Sequence, residues 1–193
     1  MKTCFIAGSK YTEFPFDYEK EFRYREELQE IARKTAQRLM AEEGCDRFIF
    51  LDSQGANVDF LTELFLMDKE IKIVIELFTL SKIEQWYFEF ADKVHFISYK
   101  FPFFKKKRLR KYMLNLSDYV YVFYDGNSKK SEAYKTLVLS EKMNVKGDLY
   151  LLEELTDQNK LFRKIMKSLI EKHPEIFESA IKDFSSITEK SEV

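Results

Sequence analysis

Ser9, Lys10, Ser53, Asn57, Asp59 and Asp125 are side chains that could hold an anion or a ribose, and each stands beside a turn or a glycine. Gly8-Ser9-Lys10 follows a short apolar run, so it can bring backbone N–H groups, a hydroxyl and a cation to one edge of a sheet. Residues 52–59 (DSQGANVD) follow a second apolar run and open a helical period, which is the context in which backbone amides and a helix start bind anions. The plainer reading is an ordinary turn, with Asn57 as N-cap and Asp59 balancing the helix dipole. Asp125-Gly126 ends a third run; Asp125 could accept from a ribose hydroxyl or an amine, or could simply make the turn.

A different chemistry is offered by Lys105, Lys106, Lys107, Arg108, Arg110 and Lys111. Cations at a helix start oppose its dipole at roughly 0.3–1 kcal/mol each, so an acidic partner surface or a phosphate backbone is the expected counterpart. Phe101, Phe103 and Phe104 precede the cluster, as they would in a single-strand stacking platform; buried in the core, they would leave it a solvated loop. The rest of the chain adds no basic stripe, so nucleic acid is the lesser reading. Catalytic groups are sparse. His95 lies inside a strand run, His173 precedes Pro174, and neither neighbours a second metal ligand in sequence. Cys4 falls in the first strand and Cys45 has no partner at metal-ligand spacing, so both read as free, buried, inert thiols.

The elements that must position these residues alternate. The clearest is residues 109–126, LRKYMLNLSDYVYVFYDG. Leu109, Tyr112, Met113 and Leu116 recur at i, i+3, i+4 and i+7, Ser117-Asp118 breaks that period, and 119–124 is a β-branched and aromatic run able to be buried on both faces. Further strands are expected at 3–7, 48–51, 71–77, 94–97 and 148–152. Helices are expected at 20–43, from 58 to about 69, at 81–92 and at 131–143, with Gly44 as a C′ glycine and Ser81 with Glu84 as a capping box. Strand and helix alternate with no hairpin signal, which predicts an α/β, Rossmann-like, doubly wound and mostly parallel six-stranded sheet flanked by helices. Apolar stripes at 162–170 and 177–184 predict a helical extension that pads the sheet or serves a partner, before a polar tail at 185–193.

At 193 residues the chain suits one core, over 1–155, with the extension at 156–184. A formal net charge of −1 gives no global pull towards nucleic acid or membrane. No apolar run is long enough to span a bilayer, and residues 1–11 do not read as a signal peptide, so a cytoplasmic location is expected.

Several segments together resemble the YpsA-like branch of the SLOG superfamily. They are Thr3 through Lys10, then Glu42-Glu43-Gly44 with Phe48-Ile49-Phe50 leading to Gln54-Gly55-Ala56-Asn57-Val58-Asp59, then Lys111-Tyr112-Met113, Ser117-Asp118 and Tyr124-Asp125-Gly126. The resemblance covers about 1–153 and rests on order and spacing more than on any single motif. It implies a Rossmann-like fold whose strand-end loops bind a nucleotide or nucleotide-derived ligand. Related branches include phosphoribohydrolases, a protein that handles single-stranded DNA, and sensors or effectors. The departures are specific. The family's loop glycines are Ser53 and Asn57 here, and Gly55 stands where the family has alanine. Its Gly-Gly-Thr turn reads Lys130-Ser131-Glu132, in which Glu132 would repel a phosphate. Its Arg-Asn pair reads Leu109-Arg110. The Gly-Gly-x-Gly-Thr turn and following glutamate of the hydrolases are missing.

The resemblance therefore implies a non-catalytic or weakly catalytic sensor or regulatory protein, with no identified cofactor beyond a nucleotide-like small molecule. Its ligand set would be Gly8, Ser9, Lys10, Ser53, Gly55, Asn57, Asp59, Asp125, Gly126 and Ser131. The alternative is a protein-interaction scaffold with a vestigial site, working as a homo-oligomer or with a partner through its C-terminal helices. A nucleotide N-glycosidic hydrolase and a single-strand binder rank below both.

Overall fold

Six strands form one sheet in the order β4-β3-β2-β1-β5-β6, every neighbouring pair parallel. The structure is a computed structural model and describes residues 1–16, 22–51, 55–68, 73–79, 87–97 and 105–155. The strands are β1 (Lys2–Gly8), β2 (Cys45–Leu51), β3 (Val74–Thr79), β4 (Lys93–Phe96), β5 (Tyr119–Tyr124) and β6 (Lys146–Leu151). Between them lie α1 (Phe22–Ala41), α2 (Ala56–Asp68), α3 (Tyr87–Phe90), α4 (Lys105–Leu116) and α5 (Glu132–Lys142). The chain divides into two units, Met1–Glu153 and Glu154–Val193, and the sheet belongs to the first. The expected C-terminal helices, their two stripes, the Ser81–Glu84 capping box, Phe101, Phe103, Phe104, His173 and Ser53 lie outside the described residues.

Why the sheet is doubly wound follows from its strand order. From β1 the chain steps outward through β2, β3 and β4, then returns past β1 to β5 and β6. Right-handed crossovers in opposite directions must lay their helices on opposite faces. Side-chain contacts agree. Phe60 of α2 meets Phe48, Phe50 and Phe123 at ring-centroid distances of 6.2, 6.3 and 5.8 Å. On α1, Thr35 Oγ1 donates to Tyr121 Oη at 3.4 Å on that same face. The opposite face packs Phe5, Ala7, Ile49, Val120 and Val122 against Leu109 and Met113 of α4 and Ala133 of α5. Successive residues of β5 thus alternate between two cores, which is why 119–124 is apolar without interruption and fully buried.

Local chemistry sets the ends of the elements. Gly44 closes the turn after α1 at φ +68°, as a C′ glycine does. Ser131 caps α5 by accepting from the Tyr134 N–H at 3.1 Å. Strand bounds differ from expectation by two residues or more at β2, β3 and β6, the last beginning at Lys146 rather than 148. β2 starts at Cys45, earlier than 48, because parallel pairing carries Arg47 alongside Thr3 and Val74. β3 ends at Thr79, because its partners run on to Leu51 and Phe96. No helix among the described residues is long and apolar enough to cross a membrane.

Candidate functional site

Strand order puts the topological switch point between β1 and β5, whose following helices depart to opposite faces. In open α/β sheets that divergence makes the ligand crevice. Here a pair of buried side chains bridges it. Ser9 N–H donates to Phe123 O at 2.9 Å, which seats Ser9 directly beyond β5. Its hydroxyl donates to Asp125 Oδ1 at 3.0 Å and accepts from the Asp125 N–H at 3.1 Å. Asp125 Oδ2 accepts from the N–H groups of Asn127 and Ser128 at 3.2 and 2.8 Å, filling both lone pairs of that oxygen. Ser9 is 0% exposed and Asp125 1%. The carboxylate that could have met a ribose is therefore the anchor of its own turn and of β1.

Two glycines close the same edge from the β2 side. Gly55 sits at φ +64°, and a Cβ there would lie 1.9 Å from Ser9 O and 2.5 Å from Lys10 Cα. The Ala56 N–H donates to Ser9 O at 3.1 Å. At Gly8 a Cβ would lie 2.9 Å from Ala56 Cβ and 3.0 Å from Asn57 N. Glycine is needed here because two turns of the protein touch each other, the same freedom a phosphate loop uses to approach a ligand.

Gly8, Ser9, Lys10, Gly55, Asn57 and Asp125 are thus brought to one edge. Asn57 is not the N-cap: it lies within the first turn of α2, buried, with Nδ2 donating to Leu51 O at 3.4 Å. The helix begins at Ala56, two residues earlier than expected, because Gly55 supplies the turn. Asp59 is buried and accepts from Tyr11 Oη at 3.3 Å. Lys10 is half-buried, and its N–H donates to Glu13 Oε2 at 2.9 Å. Gly126, at φ +95°, leaves room for Glu153, which accepts from Asn127 Nδ2 at 2.6 Å. Ser131 is buried, its oxygen occupied by the α5 cap.

The basic cluster divides. Lys106, Lys107, Arg108 and Lys111 are exposed on α4, but Arg110 is buried at 3% exposure and ion-paired with Glu132. Reading Arg110 as part of an exposed patch is corrected by helix geometry, which turns it inward beside Leu109, Met113 and Leu114. Glu132 also pairs with Lys135 at 3.3 Å. Burial pushes its carboxyl up, but the positive charges of Arg110, Lys135 and Lys106 outweigh this and hold it below the usual glutamate value.

Sequence reasoning missed Glu76. It is buried on β3, pairs with Arg47 of β2 at 2.7 Å and His95 of β4 at 2.9 Å, and reaches Lys93 at 3.5 Å. Burial pushes its carboxyl up, yet hydrogen bonds from Arg47 and His95 bring it net below the usual value. His95 stacks on Phe78 at 4.3 Å between centroids. The available signal was a single glutamate inside the apolar run IKIVIEL, which in a parallel sheet must find cations on neighbouring strands. Cys4 and Cys45 are free and buried, and burial followed by a hydrogen bond with Cys45 raises the Cys4 thiol well above its usual value. Among the described residues no group of three or more His, Cys, Asp or Glu could hold a metal ion. No protein-family model matches this chain, and no curated protein matches it in sequence.

Proposed function

We propose that this chain is a non-catalytic binding module, regulatory or scaffolding in role, whose nucleotide-type crevice has become a structural latch. The observation that carries the reading is the buried Ser9–Asp125 pair at the switch point, with both oxygens of the carboxylate engaged within the protein. A phosphate cradle keeps its donors free and its glycines open to ligand. Here the donors bond to Asp125 and Glu13, and the glycines face protein backbone. Glu132, the acid at the start of α5, is held by Arg110, which argues for a structural use of that glutamate as well. Work is then done by the outer surface.

Amide hydrogen exchange tests this. With the latch closed, the amides of Ser9 and Asp125 exchange as slowly as those of β1 and β5, with or without nucleoside monophosphates. Fast exchange in the free protein, slowed by a nucleotide, would show an open crevice and return the sensor reading to first place.

A further inference from the structure

α4 and α5 lie on the same face of the sheet, and a concave groove of about 300 Å³ runs between them. That is the lower end of the size of small-molecule sites, which run from roughly 300 to 1,000 Å³. Its apolar lining is Tyr134, Val138 and Leu139, all half-buried on α5, with Tyr134 packed on Tyr124 at 5.6 Å between centroids. Around them stand the cations Lys107, Arg110, Lys129, Lys135 and Lys142.

No carboxylate lines this groove among the described residues; Glu132, bonded to Arg110 and Lys135, is the acid next to it. Lys107, Lys129 and Lys142 make no ion pair with any described residue. Among the described residues the lining holds five cations and no carboxylate, and Lys107, Lys129 and Lys142 leave it positive after Glu132 is shared by Arg110 and Lys135. Lys107 also lies in the first turn of α4, where a positive charge opposes the helix dipole. A bound anion would relieve both.

From this geometry we infer that the α4–α5 groove binds a compact organic phosphate: a multiply charged head held by Lys107 and Lys129, beside the N-terminal ends of α4 and α5, and an apolar body laid on Tyr134, Val138 and Leu139. A carboxylate would leave most of the positive charge unmatched, and an inorganic anion would leave the apolar lining unused. Both features together select the class. The site is distinct from the Ser9–Asp125 edge, so it stands or falls independently of the latch.

Calorimetric titration of the full chain at low salt tests the site with three probes. ATP carries a planar body, octyl phosphate an aliphatic one, and inorganic triphosphate is the head alone. The expected result is saturable binding of ATP or octyl phosphate at one site, about tenfold or more tighter than inorganic triphosphate. The tighter of the two identifies the body. Lys107→Glu with Lys129→Glu should weaken that binding about tenfold or more, and Val138→Asp should weaken it comparably. Lys34→Glu, on α1 across the sheet, should leave it unchanged. The charge reversals are at exposed positions, so they test the site even if Val138→Asp fails to fold. Equal binding of inorganic triphosphate, no binding of either organic phosphate, or binding that survives the double charge reversal would each overturn the assignment.

Discussion

Removing the Ser9 hydroxyl separates a latch from a ligand site. Ser9→Ala takes the donor from Asp125 Oδ1 and the acceptor from the Asp125 N–H, at a residue 1% exposed. A hydrogen bond to a charged group is worth about 1.5–3 kcal/mol, and a buried orphaned N–H costs about 1–3. Partial relaxation leaves an expected loss of about 3 kcal/mol. With a urea m-value of about 2 kcal/mol/M for a domain of this size, the unfolding midpoint should fall by about 1.5 M. Asp125→Ala should be destabilising on its own, and the double variant should show a coupling of about 1.5 kcal/mol or more, because the two residues share their bonds. A ligand-site serine behaves otherwise: its loss is neutral or mildly stabilising in the free protein, since function and stability pull apart at such positions. A Ser9→Ala midpoint equal to or above that of the parent chain would refute the latch.

Three further outcomes follow from the same structure. Gly55→Ala places a Cβ 1.9 Å from Ser9 O at a positive φ, so it should cost about 2–5 kcal/mol and lower the melting temperature by about 7–14 °C at the middle of that range. Glu76→Gln should cost about 3 kcal/mol at pH 7, read from urea midpoints. Because the folded Glu76 carboxyl titrates below its ordinary value of 4.5, its stabilisation is complete above that pH and disappears as the pH falls through the folded value. The gap between parent and variant should therefore narrow as the pH falls below 4.5, and a gap that widens there instead would contradict the assignment. Arg110→Met should cost about 2 kcal/mol by chemical denaturation, less than the ~3–5 of a fully buried pair, because Glu132 is 27% exposed and keeps Lys135. An unchanged midpoint would mean that the Arg110–Glu132 pair contributes nothing.

Elements with an unambiguous local pattern were legible in the chain. The run 119–124 is β5 residue for residue, since a strand buried on both faces and stopped by Asp-Gly leaves little freedom. β3 was displaced because an apolar run from 71 to 80 has no period to mark its ends; only pairing with β2 and β4 sets them. The candidate edge was legible as a set of residues but not as a network. Ser9 and Asp125 are 116 positions apart, and their bond depends on β1 lying beside β5, which no local signal specifies. Gly55 looked like a glycine in the wrong place for a phosphate loop, and contact with Ser9 O is why it is there. Arg110 was hidden by its neighbours: within a run of cations charge is obvious, whereas the inward turn of one of them requires the helix phase.

The most direct test of the closed crevice is a ¹⁵N–¹H NMR titration with a nucleoside monophosphate and a nucleoside triphosphate. The cross-peaks of Gly8, Ser9, Gly55, Asn57 and Asp125 should stay in place at saturating ligand, any movement being confined to α4 and α5. Saturable shifts centred on Ser9 and Asp125 would contradict it, and would show that the latch opens to admit a ligand.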